Sequence, residues 1–406
     1  MTFPYISQIK VNNCYTYKDF LVPSSELSEF KHIVLTGKNG SGKTTILNRI
    51  AFLITELNEG RNKEDVIARL KGAILNNKNH SLIPTWKQQI KEAEDIDLLH
   101  LGGTNHFFKE QPNAYIFSFF KALRKAELKP VSTVTREDEF LLNLNRQNKQ
   151  NDADDFTGQF KQYLVNRKVS EAFDQMDSTS DEINRDKIKQ NRLFFDQLTK
   201  TLQDIFGDKK LQLEFKKENF EFYLKLEDGR EITFNQLADG FSAFLSILMN
   251  LLMRTDLIRK AKNDYSLEPE GIVLIDEPET HLHLSMQYEI LPLINSLFPK
   301  IQLIVATHSP AVISSIKNAV VYDLTSKEEV EDSVLGSSFS ELMIQHFGLA
   351  NEYSPVARTI ISEINSAVKA KDTNKLNSIL EVNKNYLTPS LRLEIESQII
   401  HIKARM

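Results

Sequence analysis

The chain has one cysteine, Cys14, in 406 residues. A single thiol excludes a disulfide framework and a cysteine-based zinc cluster, and it points to a reducing compartment. The opening MTFPYISQIK has no apolar h-region, so no secretory signal is expected. The longest apolar stretch, 241–253, is interrupted by Ser242, Ser246 and Asn250 and is too short to span a bilayer. No surplus of either charge is present: 50 basic against 55 acidic residues leave a net charge of −5, which gives no bulk attraction for a polyanion. No internal repeat with a period of roughly 20–50 residues is visible. The remaining composition is ordinary for a globular protein, 41% hydrophobic and 26% charged. At ~100–200 residues per domain, two or three units are expected, in a soluble and cytoplasmic protein with no membrane contact.

The patterning alternates between strand and helix. Residues 6–11 alternate with period two, and His32–Thr36 is a short apolar run. A glycine-rich loop, Gly37 to Gly42, then opens a helical pattern from Lys43 to about Leu57. Residues 63–100 read as polar helix, and Tyr115–Phe120 reads as strand. Residues 211–215, 220–226 and 231–234 read as a β-meander, with Asp228-Gly229 as a tight turn. A long helix is expected from Gly240 to about Lys262. Gly271–Ile275 and Ile301–Ala306 are fully apolar, as central parallel strands are, and a helix between them completes a βαβ unit. Residues 319–322 read as one more strand, and helical patterns occupy 339–347, 355–369 and 389–404.

The loop Gly37-Lys38-Asn39-Gly40-Ser41-Gly42-Lys43-Thr44 fits the phosphate-loop pattern G-x-x-x-x-G-K-[ST]. Its glycines let backbone N–H groups turn inward around phosphate oxygens, and the adjoining helix adds its positive N-terminal end. Lys43 is expected to reach the β- and γ-phosphates, and the Thr44 hydroxyl to ligate Mg²⁺. A second element completes such a site. The buried run at 272–275 ends in Asp276-Glu277-Pro278, placing Asp276 to hold Mg²⁺ and Glu277 to polarise the attacking water. The neighbouring apolar run ends in Ala306-Thr307-His308-Ser309, which aims His308 at the same γ-phosphate. His281 and His283 lack a third ligand at a recognisable spacing, so no metal is expected there.

Together, Gly37–Thr44, 274–278 and 307–309 resemble the ABC-type ATPase class, which includes SMC, RecF and RecN proteins and the ATPase part of OLD-family nucleases. In style the surroundings at 234–244 and 277–284 are similar to the stand-alone ATPases of bacterial anti-phage systems of the Septu and PARIS type. The resemblance implies an α/β fold: a P-loop ABC-type ATPase head with a mixed sheet and an antiparallel β subdomain, a short helical insertion and a helical C-terminal tail. It implies ATP and Mg²⁺ as ligands, with contacts from Gly37, Lys38, Asn39, Gly40, Ser41, Gly42, Lys43, Thr44 and Thr45. Thr44 and Asp276 would hold the metal, Glu277 would be the catalytic glutamate and His308 the switch histidine. Residues 279–283 fall at the D-loop. The signature motif, which serves the nucleotide of a second subunit, matches Ala238, Asp239 and Gly240; Ala238 replaces the usual serine, and Ser242 is a candidate substitute. Gln88 and Gln89 are candidates for the glutamine loop by chain order alone.

The resemblance implies a division into residues 1–135 and 207–334 as the two parts of the head, 136–206 as an acidic helical insertion and 335–406 as a helical tail. Residues 136–186 carry twelve acidic and seven basic residues, a balance equal to that of the whole chain. The insertion lacks sustained heptads, so a short helical protrusion toward a partner and a solvated decoration are both open. No D-x-D pair occurs after His308, so a nuclease, if one is involved, is expected on a separate polypeptide. The implied function is a slow ATPase that works as a homo-oligomer, at least a dimer, and regulates such an effector in an anti-phage complex. The alternative is a DNA-repair or chromosome ATPase of the RecF or SMC kind, for which the charge gives no support.

Overall fold

The computed structural model describes residues 5–77, 81–101, 115–124, 127–136, 139, 142, 157–176, 182–330, 355–383 and 386–404. The chain divides into two compact units, residues 1–339 and 340–406. At the centre of the first is a sheet of six strands. Five are parallel: β3 (His32–Thr36), β5 (Tyr115–Phe120), β9 (Glu270–Asp276), β10 (Ile301–Ala306) and β11 (Ala319–Asp323). With β12 (Glu328–Glu329) antiparallel at one edge, their order is β12-β11-β3-β10-β9-β5. Every residue of β3, β5 and β10 is buried, which is why these strands read as unbroken apolar runs rather than alternating ones.

Register matters most here. Ala306 of β10 pairs with Leu35 of β3 on one side and with Asp276 of β9 on the other. The three strands therefore end level, and their C-terminal loops leave the sheet at one common edge, where ligands of open α/β sheets bind. Helix α1 (Lys43–Asn58) covers one face of the sheet, burying Ile46, Leu47, Ile50, Ala51, Leu53 and Ile54 on one side of the helix. Each of these leucine and isoleucine side chains removed from water contributes roughly 1.5–3 kcal/mol.

An antiparallel sheet, β2-β1-β4, shares that core through β1 (Tyr5–Cys14), β2 (Tyr17–Val22) and β4 (Ile96–Leu101). Strand β4 corrects the expectation of continuous helix over 63–100. Helices α2 (Lys63–Asn76) and α3 (Ile83–Glu94) form as read, but Ile96–Leu101 pairs with the open edge of β1 and buries Ile96 completely. The expected meander is present as β6 (Gln212–Lys216), β7 (Glu221–Lys225) and β8 (Glu231–Thr233).

Two helices make up most of the described part of 136–206: α4 (Phe160–Met176) and α5 (Glu182–Phe206). The expectation of a protrusion or exposed decoration fails for α4. Phe160, Tyr163, Leu164 and Val165 are buried, and the Arg167 side chain forms a buried ion pair with Asp256 of α6 (Asp239–Lys262). Apolar residues at helical spacing outweigh the acidic composition around them. Helix α6 is long and apolar enough to cross a membrane, but 94% of its most apolar window is buried inside the protein, so it is a core helix. Between β9 and β10 runs α7 (Leu284–Leu297), and the short α8 (Pro310–Ile313) comes after β10.

In the second unit α9 (Pro355–Lys369) and α11 (Pro389–Ala404) lie where the patterns placed them, with α10 (Thr373–Val382) between. Ile364, Leu376, Ile379, Ile395 and Ile399 form their shared core. The helix expected at 339–347 lies outside the described residues.

One buried histidine ties the central sheet together. The His32 Nδ1 accepts the Leu303 N–H at 3.0 Å, and its Nε2 lies 3.0 Å from the Asn295 Oδ1 of α7. Burial pushes its pKa down to about 4 from 6.5. The folded protein thus binds this proton less readily than the unfolded chain, and stability is lost as pH falls from about 6.5 toward 4. At 1.36 kcal/mol per unit, the loss from this group is about 2 kcal/mol by pH 5. Urea unfolding at pH 7.5 and pH 5 is expected to show a smaller acid-induced drop in His32→Asn than in wild type, by that amount; equal drops would contradict it.

Candidate functional site

The level edge of β3, β10 and β9 gathers three segments: residues 37–45, which include the N-terminus of α1, 276–283 and 307–309. Gly42 precedes α1 with φ +83°, a left-handed conformation that favours glycine. A Cβ there would meet the Tyr15 ring at 3.1 Å and the Tyr17 ring at 3.3 Å. The loop is therefore held by conformation on one side and by aromatic rings on the other. At its start, the Lys38 N–H donates to the Thr325 hydroxyl at 2.9 Å, which latches the loop to the end of β11.

Lys43 is buried at the centre of this edge. Its Nζ donates to the Gly37 carbonyl at 3.1 Å and lies 2.6 Å from the His308 Nε2. Burial holds the Lys43 ammonium below its usual pKa, against the pull of Glu277, Asp276 and Glu279 around it. The Thr44 hydroxyl lies 2.9 and 3.1 Å from the two Asp276 carboxylate oxygens. A hydroxyl and a carboxylate held together are hard oxygen donors of the kind that suits Mg²⁺. Burial raises the Asp276 pKa, opposed by the Thr44 hydrogen bond and by Lys43.

Glu277 sits at φ +48° immediately after β9, with its N–H donating to the Ala306 carbonyl at 2.8 Å. Its Oε1 is 3.4 Å from the His308 Nε2. Burial pushes its pKa up to about 8, reinforced by the Glu279 carboxyl beside it. Burial also lowers the His308 pKa, and Lys43 lowers it further, so the ring next to the lysine is held neutral. Lys43, Thr44, Asp276, Glu277 and His308 thus form one cluster, as the strand ends require. An ammonium, a neutral imidazole and two carboxyls around a glycine loop can neutralise phosphate charge, carry a metal and accept a proton from water.

Comparison with known proteins supplies the family. Residues 33–314 match the family described as "AAA domain, putative AbiEii toxin, Type IV TA system". The chain belongs to this family. It is 24% identical over 368 residues to the Septu protein PtuA of Bacillus thuringiensis, covering 84% of this chain and 85% of that protein. It is 30% identical over 178 residues to the "Retron Ec83 probable ATPase" of Escherichia coli, covering 40% of this chain and 32% of that protein. Among solved structures, an Smc head domain from Pyrococcus furiosus aligns with 12% identity and a TM-score of 0.39, over 80% of this chain and 95% of that one. The resemblance to ABC-type ATPases of defence systems is borne out by the family and by these named relatives.

Within this AAA-domain chain the stretch expected as the signature packs on the turn after β9. Ala238 and Asp239 are exposed where α6 begins. Gly240 is buried against the turn after β9: a Cβ on it would stand 2.3 Å from the His281 carbonyl oxygen. Ser242 does not replace the missing serine, because it is 2% exposed and turned inward. His283 caps α7 by accepting the Ser285 N–H.

Gln88 and Gln89 lie on α3, where Gln88 bonds Glu92. The strand that flanks β9 is instead β5, and shortly after it Arg124 donates to the Asp276 carbonyl at 2.8 Å and the Glu277 carbonyl at 3.1 Å. Sequence reading missed Arg124, since only the pairing of β5 with β9 brings it there. It also missed Tyr15, 59% exposed at the β1–β2 turn beside Gly42; an aromatic at a turn next to a phosphate loop is the signal that could have found it.

Gly240→Ala tests the packing of the signature turn. In an ordinary helix this change gains roughly 0.5–1 kcal/mol. Here the methyl meets a backbone oxygen, and a loss of about 1–3 kcal/mol is expected in urea unfolding. A gain in stability would contradict the contact.

Proposed function

We propose that this chain binds and hydrolyses ATP, and that the state of its nucleotide governs engagement of a second copy and thereby a separate effector, a nuclease in the first instance, in an anti-phage complex of the cytoplasm. The observation that carries the proposal is the convergence of Lys43, Thr44, Asp276, Glu277 and His308 on one sheet edge, with Gly240 packed against the turn after β9. The relatives named Septu PtuA and retron ATPase support the defence setting.

In this reading the amides of Gly40 through Thr45 and the Lys43 ammonium cradle the phosphates, and Lys38, Asn39 and Gly37 shape the loop. Thr44 and Asp276 would hold Mg²⁺, which when bound supplies positive charge to the phosphate oxygens. Positive charge brought by Mg-ATP would release the proton that Glu277 otherwise holds up to about pH 8, and the carboxylate then orients the attacking water and takes its proton. His308, adjacent to both Lys43 and Glu277, senses the terminal phosphate. Tyr15 offers an exposed ring face on which a base stacks. Ala238, Asp239 and Gly240 form the N-terminal turn of a 24-residue helix whose end is open to a phosphate held by another subunit. Without a serine there, that contact relies on backbone N–H groups, which accords with slow turnover.

Two variants test the site. Lys43→Ala is expected to lose ATP binding by two orders of magnitude or so in equilibrium titration, since a buried phosphate charge loses its partner; unchanged affinity would refute the loop as the nucleotide site. Glu277→Gln is expected to bind ATP like wild type and to turn over about 100-fold more slowly; normal turnover would remove Glu277 as the base. For the shared site, inactive Lys43→Ala mixed with Asp239→Trp, which blocks the exposed start of α6 without touching the buried Gly240 contact, is expected to regain part of the activity, because one pairing restores an intact loop opposite an intact signature. No recovery at any mixing ratio would argue for sites confined to one subunit.

A further inference from the structure

The turn after β9 carries one carboxylate that neither holds the metal nor acts on water. Glu279 lies three residues beyond Asp276, in a turn closed by Thr280 N–H to the Glu277 carbonyl at 3.2 Å and by Leu282 N–H to the Glu279 carbonyl at 2.9 Å. Its side chain reaches across to the neighbouring strand end. A single oxygen, Oε1, accepts the Thr307 hydroxyl at 2.7 Å and the His308 backbone N–H at 2.8 Å. The Thr307 oxygen in turn accepts the Ser309 N–H at 2.9 Å. A second tie runs in parallel: the Ser309 hydroxyl donates to the Gln287 Oε1 at 2.6 Å, and the Gln287 Nε2 donates to the Leu282 carbonyl at 2.9 Å.

These bonds have a geometric consequence. The His308 ring can lie near Lys43 and Glu277 only if its backbone is fixed, and His308 stands just past the end of β10, where ladder hydrogen bonds stop. Glu279 supplies the missing bond at the His308 N–H. We propose that Glu279 is a positioning residue: by accepting from Thr307 and His308 together it holds the His308 ring over Lys43 and beside Glu277. The proposal rests on the ATP-hydrolysing reading of the site. Positioning His308 requires only the acceptor oxygen, which an amide also possesses; the charge of Glu279 bears instead on Glu277 and Lys43, so its loss moves the pH profile and the variants are compared at their pH optima.

The test compares Glu279→Ala, Glu279→Gln, His308→Ala and the double variant Glu279→Ala/His308→Ala in the full chain, reading KM and kcat for Mg-ATP and the thermal midpoint of each. Glu279→Ala is expected to keep KM within about 3-fold and to lose kcat by about 10–100-fold, as a displaced reacting group does. The double variant is expected to be no slower than His308→Ala, since the two act as one unit. Glu279→Gln retains the acceptor and is expected within about 3-fold of wild type. If Glu279→Ala folds poorly, Thr307→Val, which removes one of the two bonds, and Glu279→Gln carry the same comparison. Wild-type kcat in Glu279→Ala, multiplicative losses in the double variant, or a Gln variant as slow as Ala would each overturn the proposal. Turnover that depends on Glu277 while Glu279→Ala is unimpaired defeats this proposal alone. No ATP turnover in wild type defeats both it and the reading beneath it.

Discussion

The site depends on parallel strand pairing more than on any side chain. Strand β10 lies between β3 and β9 in a register that matches Ala306 with both Leu35 and Asp276. Because side chains and loops are carried rigidly by strand ends, this one alignment sets the distances among the glycine loop, the Asp276–Glu277 pair and His308. A slip by one residue would turn every side chain of β10 to the opposite face. That strand is wholly buried, so the slip would disrupt packing on both of its faces, and register is fixed by the same burial that stabilises the fold.

The alignment places one buried ammonium among several carboxyls. Lys43 is drawn both ways: burial favours its neutral form, while Glu277, Asp276 and Glu279 favour the charged one. Glu277 answers by holding its proton to about pH 8. A set of like charges held close and out of water is costly, and incoming positive charge relieves it. The arrangement accordingly suits a ligand that brings positive charge as well as phosphate, and the Thr44–Asp276 contact presents hard oxygen donors there.

Much of this was legible in the sequence. The loop 37–44, the carboxylates at 276 and 277 and His308 each come after a short apolar run, and local pattern is enough to place a residue at a strand end. The central strands and the meander were legible for the same reason. The features that escaped depended on non-local pairing. Ile96–Leu101 continues a polar helical region in composition and becomes a strand only because β1 offers an edge. Helix α4 sits within an acidic stretch yet buries Phe160 and Leu164 against the core. Arg124 and Tyr15 reach the site through β5 and the β1–β2 turn, neither of which carries a motif. Ser242 was misjudged because helix phase, which turns it inward, is not visible from its nearness to Gly240.

The central claim is that one sheet edge forms a metal-dependent nucleotide site. Calorimetric titration of the purified chain with ATP, in Mg²⁺ and in EDTA, tests it most directly. One ATP per chain is predicted, with affinity that falls markedly in EDTA and a Mg²⁺ dependence that disappears in Asp276→Asn. Absence of binding, or binding indifferent to both Mg²⁺ and Asp276, would contradict it.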